Sequence, residues 1–166
     1  MIIQQIRNAT LKIKYGSITF LIDPWFQNQG TGFSAKAVRT EMQGIKCPMN
    51  ALPETPESIL KNVDHCLVTH LHFDHFCPDY LPKDQMITAQ NHEDAEKIRQ
   101  MGFENVTAFE SELLTIGDVT IHKTKAIHGD SDEIVTRMGE VCGYIYLRLR
   151  EKSACIWLPI RFTARK

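Results

Sequence analysis

The sequence of 166 residues lacks the features that mark several protein classes. No apolar run approaches the ~20 residues that span a bilayer, and no pair of the five cysteines is spaced as CxxC. The 19 basic and 20 acidic side chains give a formal charge of −1, which offers no electrostatic basis for binding nucleic acid or a membrane surface. The first residues lack the basic start and apolar core of a signal peptide. We therefore expect a cytoplasmic protein with free thiols and with no nucleic-acid or membrane partner.

The composition and the apolar patterning indicate one strand-rich domain. Hydrophobic residues make up 43% of the chain and charged residues 23%, which excludes a disordered or fibrous protein. Period-2 alternation and short apolar runs predict strands at residues 2–6, 10–15, 18–22, 63–69, 106–109, 113–116, 119–126 and 141–149. Helices are predicted at 56–61 and, after a cap at Asn91, up to Met101. Residues 27–56 are predicted to form a long loop. This order favours an α/β, or α+β, layered fold.

Three of the seven histidines fall within six residues, at His70, His72 and His75, with Asp74 among them. An apolar strand leads into this cluster, so His70 and His72 are expected to leave its end on the same side. Imidazole and carboxylate groups suit a divalent transition metal, with Zn²⁺ the usual choice and Mn²⁺ or Fe²⁺ the alternatives. Four such side chains are too many for one ion. The spacing predicts two ions, one on His70 and His72 and one on Asp74 and His75; a polar loop without ligands is the less favoured alternative.

The HxHxDH pattern of these residues resembles the metal motif of the metallo-β-lactamase superfamily. Other stretches agree with it: Ile22-Asp23-Pro24-Trp25-Phe26, Val63-Asp64 with Val68-Thr69, and Ala126-Ile127-His128-Gly129. Together they are similar to the branch that contains L-ascorbate-6-phosphate lactonase and related hydrolases. The resemblance covers about residues 1–150. It implies an αββα sandwich of two halves with the metals at their shared edge.

The resemblance also implies roles for individual residues. His128 would be the third ligand of the first metal, beside His70 and His72. Asp74 would be a catalytic residue that orients or deprotonates the metal-bound water. Asp23 would lie beneath the site and hydrogen-bond a ligand histidine; its alternative role is to cap the strand-to-loop turn. A metal-bound hydroxide would then attack an ester, lactone or phosphoester in a small-molecule substrate.

The remaining candidate ligands are predicted to be structural. His65 and His122 lie within predicted strands, where a satisfied histidine of the core or sheet is the favoured interpretation. His92 follows the helix cap and is expected to be exposed. Cys77 follows His75 by two residues, and a buried thiol is favoured over a metal ligand.

Compared with that family pattern, the sequence lacks two later metal ligands. The pattern calls for an Asp that bridges both metals and a final His, and neither follows His128. We therefore expect residues 1–155 to form an incomplete domain, the first half of the sandwich. Residues 156–166 begin like a strand and then turn basic, so they are predicted to be an atypical tail. A frameshift near Cys155 is one interpretation of this tail, and the gene sequence decides it.

These observations leave two functional hypotheses open. The first is a truncated metal-dependent hydrolase, and the second is a non-enzymatic metal-binding remnant of one. A nucleic-acid-processing member of the superfamily is disfavoured by the charge. If the second half is missing, the sheet face that it covers is expected to be an apolar patch. A homo-oligomer in which copies cover that face is then expected, with aggregation as the alternative.

Overall fold

The computed structural model of the chain describes residues 1–34, 40–127 and 131–148, and the backbone of 151–157. The strands are β1 Ile2–Gln5, β2 Leu11–Tyr15, β3 Ile18–Ile22, β4 His65–Val68, β5 Ile87–Ala89, β6 Val106–Ala108, β7 Leu113–Ile116, β8 Val119–Ala126, β9 Val141–Arg148 and β10 Glu151–Trp157. The α-helices are α1 Pro56–Leu60, α2 His92–Gln100 and α3 Asp132–Met138. Short 3₁₀ turns lie at Thr40–Met42 and Pro78–Tyr80.

The strands form two sheets. In the first, with the order β1-β2-β3-β4-β5-β6, the opening meander is antiparallel and β3 to β6 are parallel. The second sheet is antiparallel, in the order β10-β9-β8-β7. Parallel strands need long crossover connections. The connection from β3 to β4 contains the long loop and α1, and the connection from β5 to β6 contains α2. The connection from β4 to β5 holds the histidine cluster.

Two buried clusters fill the spaces between three layers. The alternation of apolar residues in β2 and β3 sends one set of side chains toward the second sheet. This inter-sheet core contains Leu11, Ile13, Phe20, Ile22, Leu67, Val119, Ile121, Tyr144 and Tyr146. The opposite face of the first sheet packs on the helices through Leu21, Cys66, Val68, Ile87, Ala89, Ile59, Ala95 and Ile98. The α/β layered fold predicted from the sequence is therefore confirmed.

One pair of turns joins the two sheets far from the histidine cluster. Ser17 donates to Asp118 Oδ1 from its backbone nitrogen at 2.9 Å and from Oγ at 2.7 Å, and Arg148 Nε donates to Oδ2 at 2.9 Å. These bonds, those from Ser17 above all, lower the pKa of Asp118 to about 2. Gly16, at φ +61°, approaches this carboxylate so closely that a Cβ there would lie 2.5 Å from Asp118 Oδ1.

Most elements match the sequence predictions, and the differences have physical reasons. Asn91 caps α2 as expected, with its side chain accepting from Asp94 N at 2.8 Å. The prediction missed β5 because three buried residues are too short to show a period. It also missed α3, although Ser131 directly precedes this helix and Asp132 and Glu133 stand in its first turn. The last strand β10 starts at Glu151 and pairs Ile156 with Ile145, so it crosses the predicted domain boundary at residue 155, which stays a prediction.

The outer side of the second sheet is less buried than its inner side. Register places Leu113, His122 and Ile145 in one row on that side. Leu113 is 54% exposed, whereas His122 and Ile145 are half-buried. The homo-oligomer expected to cover such a face stays a prediction. Within the described ranges, no helix has the length and apolar character needed to cross a membrane.

His65 predicts how the stability of this fold depends on pH. The ring is buried, and its Nε2 lies 2.8 Å from Thr88 Oγ1, which agrees with the predicted structural role. Burial lowers the pKa of His65 to about 4, against about 6.5 in an unfolded chain. The unfolded state therefore binds the additional proton first as the pH falls. We expect the free energy of unfolding to decrease by about 3 kcal/mol between pH 6.5 and pH 4 from this residue.

Urea denaturation at several pH values measures this effect. The variant His65→Gln should show a flatter decrease over that interval than the unsubstituted protein. His92→Gln is the matched control, since the His92 side chain is 74% exposed and pairs with the exposed Glu110. An unchanged pH dependence in His65→Gln would contradict the assignment.

Candidate metal centre

The histidine cluster lies just beyond the carboxyl end of β4. His70 follows the strand by two residues, and a tight turn then runs from His72 to His75. The backbone nitrogens of His75 and Phe76 donate to His72 O at 2.8 and 3.1 Å. As a result the three imidazoles pack together, with ring centroids 4.5 Å apart for His70 and His72 and 3.9 Å apart for His70 and His75. The structure thus assembles three of the predicted ligands.

Asp23 lies beneath these rings, fully buried. Its carboxylate accepts hydrogen bonds from Thr69 N at 2.8 Å, from Thr69 Oγ1 at 2.7 Å and from His75 Nδ1 at 2.8 Å. The alternative capping role is not what the geometry shows, because the nitrogen of Trp25 donates to Thr10 Oγ1 instead. With Nδ1 donating to Asp23, the neutral His75 ring has its lone pair on Nε2, the atom suited to a metal.

The surroundings of His75 act on its charge in opposite directions. Burial lowers the pKa of His75, but the hydrogen bond from His75 to Asp23 and the negative charges of Asp23 and Asp74 outweigh it, so the pKa is raised. A negative environment that favours an imidazolium also favours a bound cation at the same place. Asp23 and Asp74 therefore both place negative charge around the His75 ring.

Thr69 also holds the histidine cluster in place through hydrogen bonds, a role that the sequence did not predict. Its Oγ1 has one proton, which it donates to the Asp23 carboxylate. The same oxygen lies 3.0 Å from His70 Nδ1, so it accepts a hydrogen bond from the N–H of that ring nitrogen. The lone pair of His70 is then on Nε2, as in His75. A hydroxyl residue at the end of a strand, directly before the first histidine, is the only signal that could have indicated this role.

The second sheet contributes two further donors under the site. Tyr144 OH donates to Val68 O at 3.0 Å, and Cys142 Sγ lies 3.7 Å from Thr69 O. Burial raises the pKa of Cys142 to about 12 and that of Tyr144 well above its usual value. Both groups therefore remain protonated and can donate. The end of β4 is held from below by the neighbouring sheet.

The structure gives less information on the other two predicted ligands, Asp74 and His128. Asp74 lies in the turn between His72 and His75 and is half-buried, while His128 falls outside the described residues. Within the part of the chain that is described, no three His, Cys, Asp or Glu side chains converge as a ready metal-binding group. The donor set nevertheless fits a divalent transition metal. Three imidazoles pack together, two of them have Nε2 as the lone-pair nitrogen, and a carboxylate adjoins them.

The four cysteines whose side chains the structure describes give no sign of a ligand role. Cys66 and Cys142 are buried, and Cys47 and Cys77 are half-buried free thiols. The Cys77 Sγ lies 3.8 Å from Asp79 Oδ2, and burial raises the pKa of its thiol. A thiol with a raised pKa is a poor thiolate ligand.

Comparison with known proteins agrees with this geometry. Residues 3–158 match the Beta-lactamase superfamily domain. The UPF0173 protein YddR of Bacillus subtilis (strain 168) is 39% identical over 155 residues, which are 92% of this chain and 60% of YddR. The crystal structure of a possible metal-dependent hydrolase from Veillonella parvula DSM 2008 superposes with a TM-score of 0.80 at 31% identity. The superposition covers 89% of this chain and 58% of the hydrolase chain.

A second solved structure is the isothiocyanate hydrolase from Delia radicum gut bacteria. It has a TM-score of 0.78 and 32% identity, with 88% of this chain covering 58% of that one. The chain thus spans about three fifths of the length of these relatives. The relatives imply a divalent metal ion, but they do not separate the branches of the superfamily, so the lactonase branch stays a prediction. The chain belongs to the Beta-lactamase superfamily domain family and has its metallo-hydrolase fold.

Proposed function

We propose that this chain is a metal-dependent hydrolase in which His70, His72, Asp74, His75 and His128 hold one or two divalent ions. The packing of three imidazoles over the buried Asp23 carboxylate is the observation that carries the proposal. Zn²⁺ is the ion proposed, with Mn²⁺ or Fe²⁺ as alternatives. When bound, such an ion supplies a coordinated water of lowered pKa and a Lewis acid for the substrate oxygen.

The residues of the chain itself orient the reacting groups. Asp23 and Thr69 fix the ring nitrogens of His75 and His70 through hydrogen bonds of 2.7 to 3.0 Å. Asp74 is proposed to accept a proton from the attacking water, because it is a half-buried carboxylate in the same turn as His72 and His75. Since Asp23 is fully buried, it is a positioning residue and does not touch substrate.

The proposed substrates are small molecules with an electrophilic carbon or phosphorus. An ester, lactone or phosphoester fits the chemistry, and similarity to the L-ascorbate-6-phosphate lactonase branch favours a phosphorylated sugar lactone. The 32% identity to an isothiocyanate hydrolase adds the isothiocyanate carbon as a second class. In each case water adds to a polarised carbon or phosphorus atom. One site can therefore be tested with all of them.

Elemental analysis combined with a substitution of His72 tests the proposal. We expect about one or two zinc ions per chain, and we expect His72→Ala to lose metal and at least about 100-fold of the hydrolysis rate. The substrates are 4-nitrophenyl acetate, a γ-lactone, bis(4-nitrophenyl) phosphate and benzyl isothiocyanate. His92→Ala is the control, because His92 is an exposed histidine on α2. The proposal is contradicted if the protein binds no metal, or if His72→Ala keeps its metal content and its hydrolysis rate. Metal without turnover supports the non-enzymatic interpretation.

Asp23 gives a second prediction, which does not need the substrate. Asp23→Asn removes the negative charge facing His75, so we expect the affinity for zinc to fall by about 10- to 100-fold. Competition with a chelator measures this. Asp64→Asn is the matched control, because Asp64 also connects β3 and β4, through a 2.7 Å bond from Thr19 N to its carboxylate. Asp64 lies at the opposite end of β4. Equal losses of affinity in both variants would contradict the positioning role.

A further inference from the structure

The turn that carries the histidines also presents a large apolar side chain to solvent. Phe73 lies between His72 and Asp74, and it is 55% exposed. An isolated exposed phenylalanine is common at protein surfaces. What Phe73 contacts therefore decides whether it has a role.

The ring of Phe73 meets a second phenylalanine from the long loop. Phe33 lies edge-on to it, with ring centroids 4.0 Å apart and an interplanar angle of 77°. Phe33 is half-buried, so both rings present part of their surface to solvent. The two rings are 40 positions apart in the sequence, and Phe73 adjoins two candidate ligands. Their contact forms a continuous apolar surface.

The segment that carries Phe33 is held in place by backbone hydrogen bonds. Residues 30–34 run beside residues 44–48, and we call these two stretches the flap. Gly32 N donates to Cys47 O at 2.7 Å, and Cys47 N donates to Phe33 O at 2.7 Å. A Cβ at position 32 would lie 2.7 Å from Cys47 O, so glycine is required for this close approach. These hydrogen bonds place Phe33 beside Cys47.

Arg7 anchors the base of the flap. Its guanidinium donates to Trp25 O at 2.7 Å, to Gln27 O at 2.9 Å and to Asn50 O at 3.1 Å. These carbonyls lie where the chain enters and leaves the long loop. Because Arg7 is buried, this cation holds the loop ends together from within the protein. Arg7 thus connects both ends of the long loop that carries Phe33.

A third exposed apolar side chain leaves the second sheet at the same edge. Ile127 follows β8 directly and is 56% exposed. The end of β8 lies near the site, because Lys125 is the register partner of Cys142, whose Sγ contacts Thr69 O. Exposed apolar groups are therefore present on both the flap side and the second-sheet side of the histidines.

We propose that Phe33 and Phe73 form an aromatic wall beside the metal ligands, which binds a planar apolar group of the substrate and makes the site prefer such substrates over short aliphatic ones. This inference rests on the proposed function, since it names the substrate class of the same site. A planar group laid against the open side of the two rings removes apolar surface from water on both partners. The wall determines specificity, while the imidazoles and Asp74 carry the chemistry.

Two methyl esters that differ only in the acyl group test the wall. The zinc-loaded protein is assayed by acid release from methyl phenylacetate and methyl acetate. We expect a higher kcat/KM for the phenylacetate ester, and we expect Phe33→Ala and Phe73→Ala to reduce that ratio by about tenfold, mainly through KM. Phe73→Leu, which keeps an apolar side chain, should retain part of the preference. Met49→Ala is the control, since Met49 is 50% exposed near the flap and should leave the ratio unchanged.

A binding measurement separates failure of the wall from failure of the hydrolase proposal. Calorimetry of the zinc-loaded protein with phenylacetate and with acetate should show tighter binding of phenylacetate, and Phe73→Ala should abolish the difference. If neither methyl ester nor any of the four substrates named above is hydrolysed but this difference is seen, the hydrolase proposal fails and the wall stands. If phenylacetate and acetate bind equally, or if the phenylalanine variants keep the preference with unchanged zinc content and melting temperature, the wall is overturned.

Discussion

The carboxylate of Asp23 is the constraint on which the rest of the site depends. A fully buried charge is costly unless donors surround it, and here three donors from the next crossover connection do so. The backbone of Asp23 has φ +48°, in the left-handed region that Asp tolerates better than most residues. Its own nitrogen donates to Leu67 O at 3.0 Å. These bonds tie the end of β3 to the end of β4 and fix where the histidine turn begins.

The same carboxylate links folding to chemistry. The bonds that satisfy its charge also select the ring nitrogens: Thr69 accepts from His70 Nδ1, and Asp23 accepts from His75 Nδ1. The second sheet adds Tyr144 and Cys142 below the same loop. The inter-sheet core and the ligand geometry are therefore coupled, because a shift between the sheets would move donors that hold Val68 and Thr69.

The sequence predicts the parts of this protein whose signals are local. Alternation identifies β2 and β3, the cap residue Asn91 identifies α2, and the spacing of His70, His72 and His75 identifies the cluster that the structure assembles. It misses β5, because a three-residue strand buried on both faces has no period. The role of Thr69 and the contact of Phe33 with Phe73 depend on residues 46 and 40 positions away. No local pattern encodes such pairings.

Different interactions hold the two ends of the candidate site. They therefore differ in how well each end tolerates substitution. The ligand end rests on buried hydrogen bonds, where removal of one partner leaves a desolvated donor or charge and costs more than the bond itself is worth. The flap end rests on a contact between partly exposed rings, where a substitution removes apolar contact but leaves no buried polar group unsatisfied. Substitutions at Phe33 and Phe73 can therefore change the apolar surface while the three histidines keep their positions, and a single fold can host several specificities.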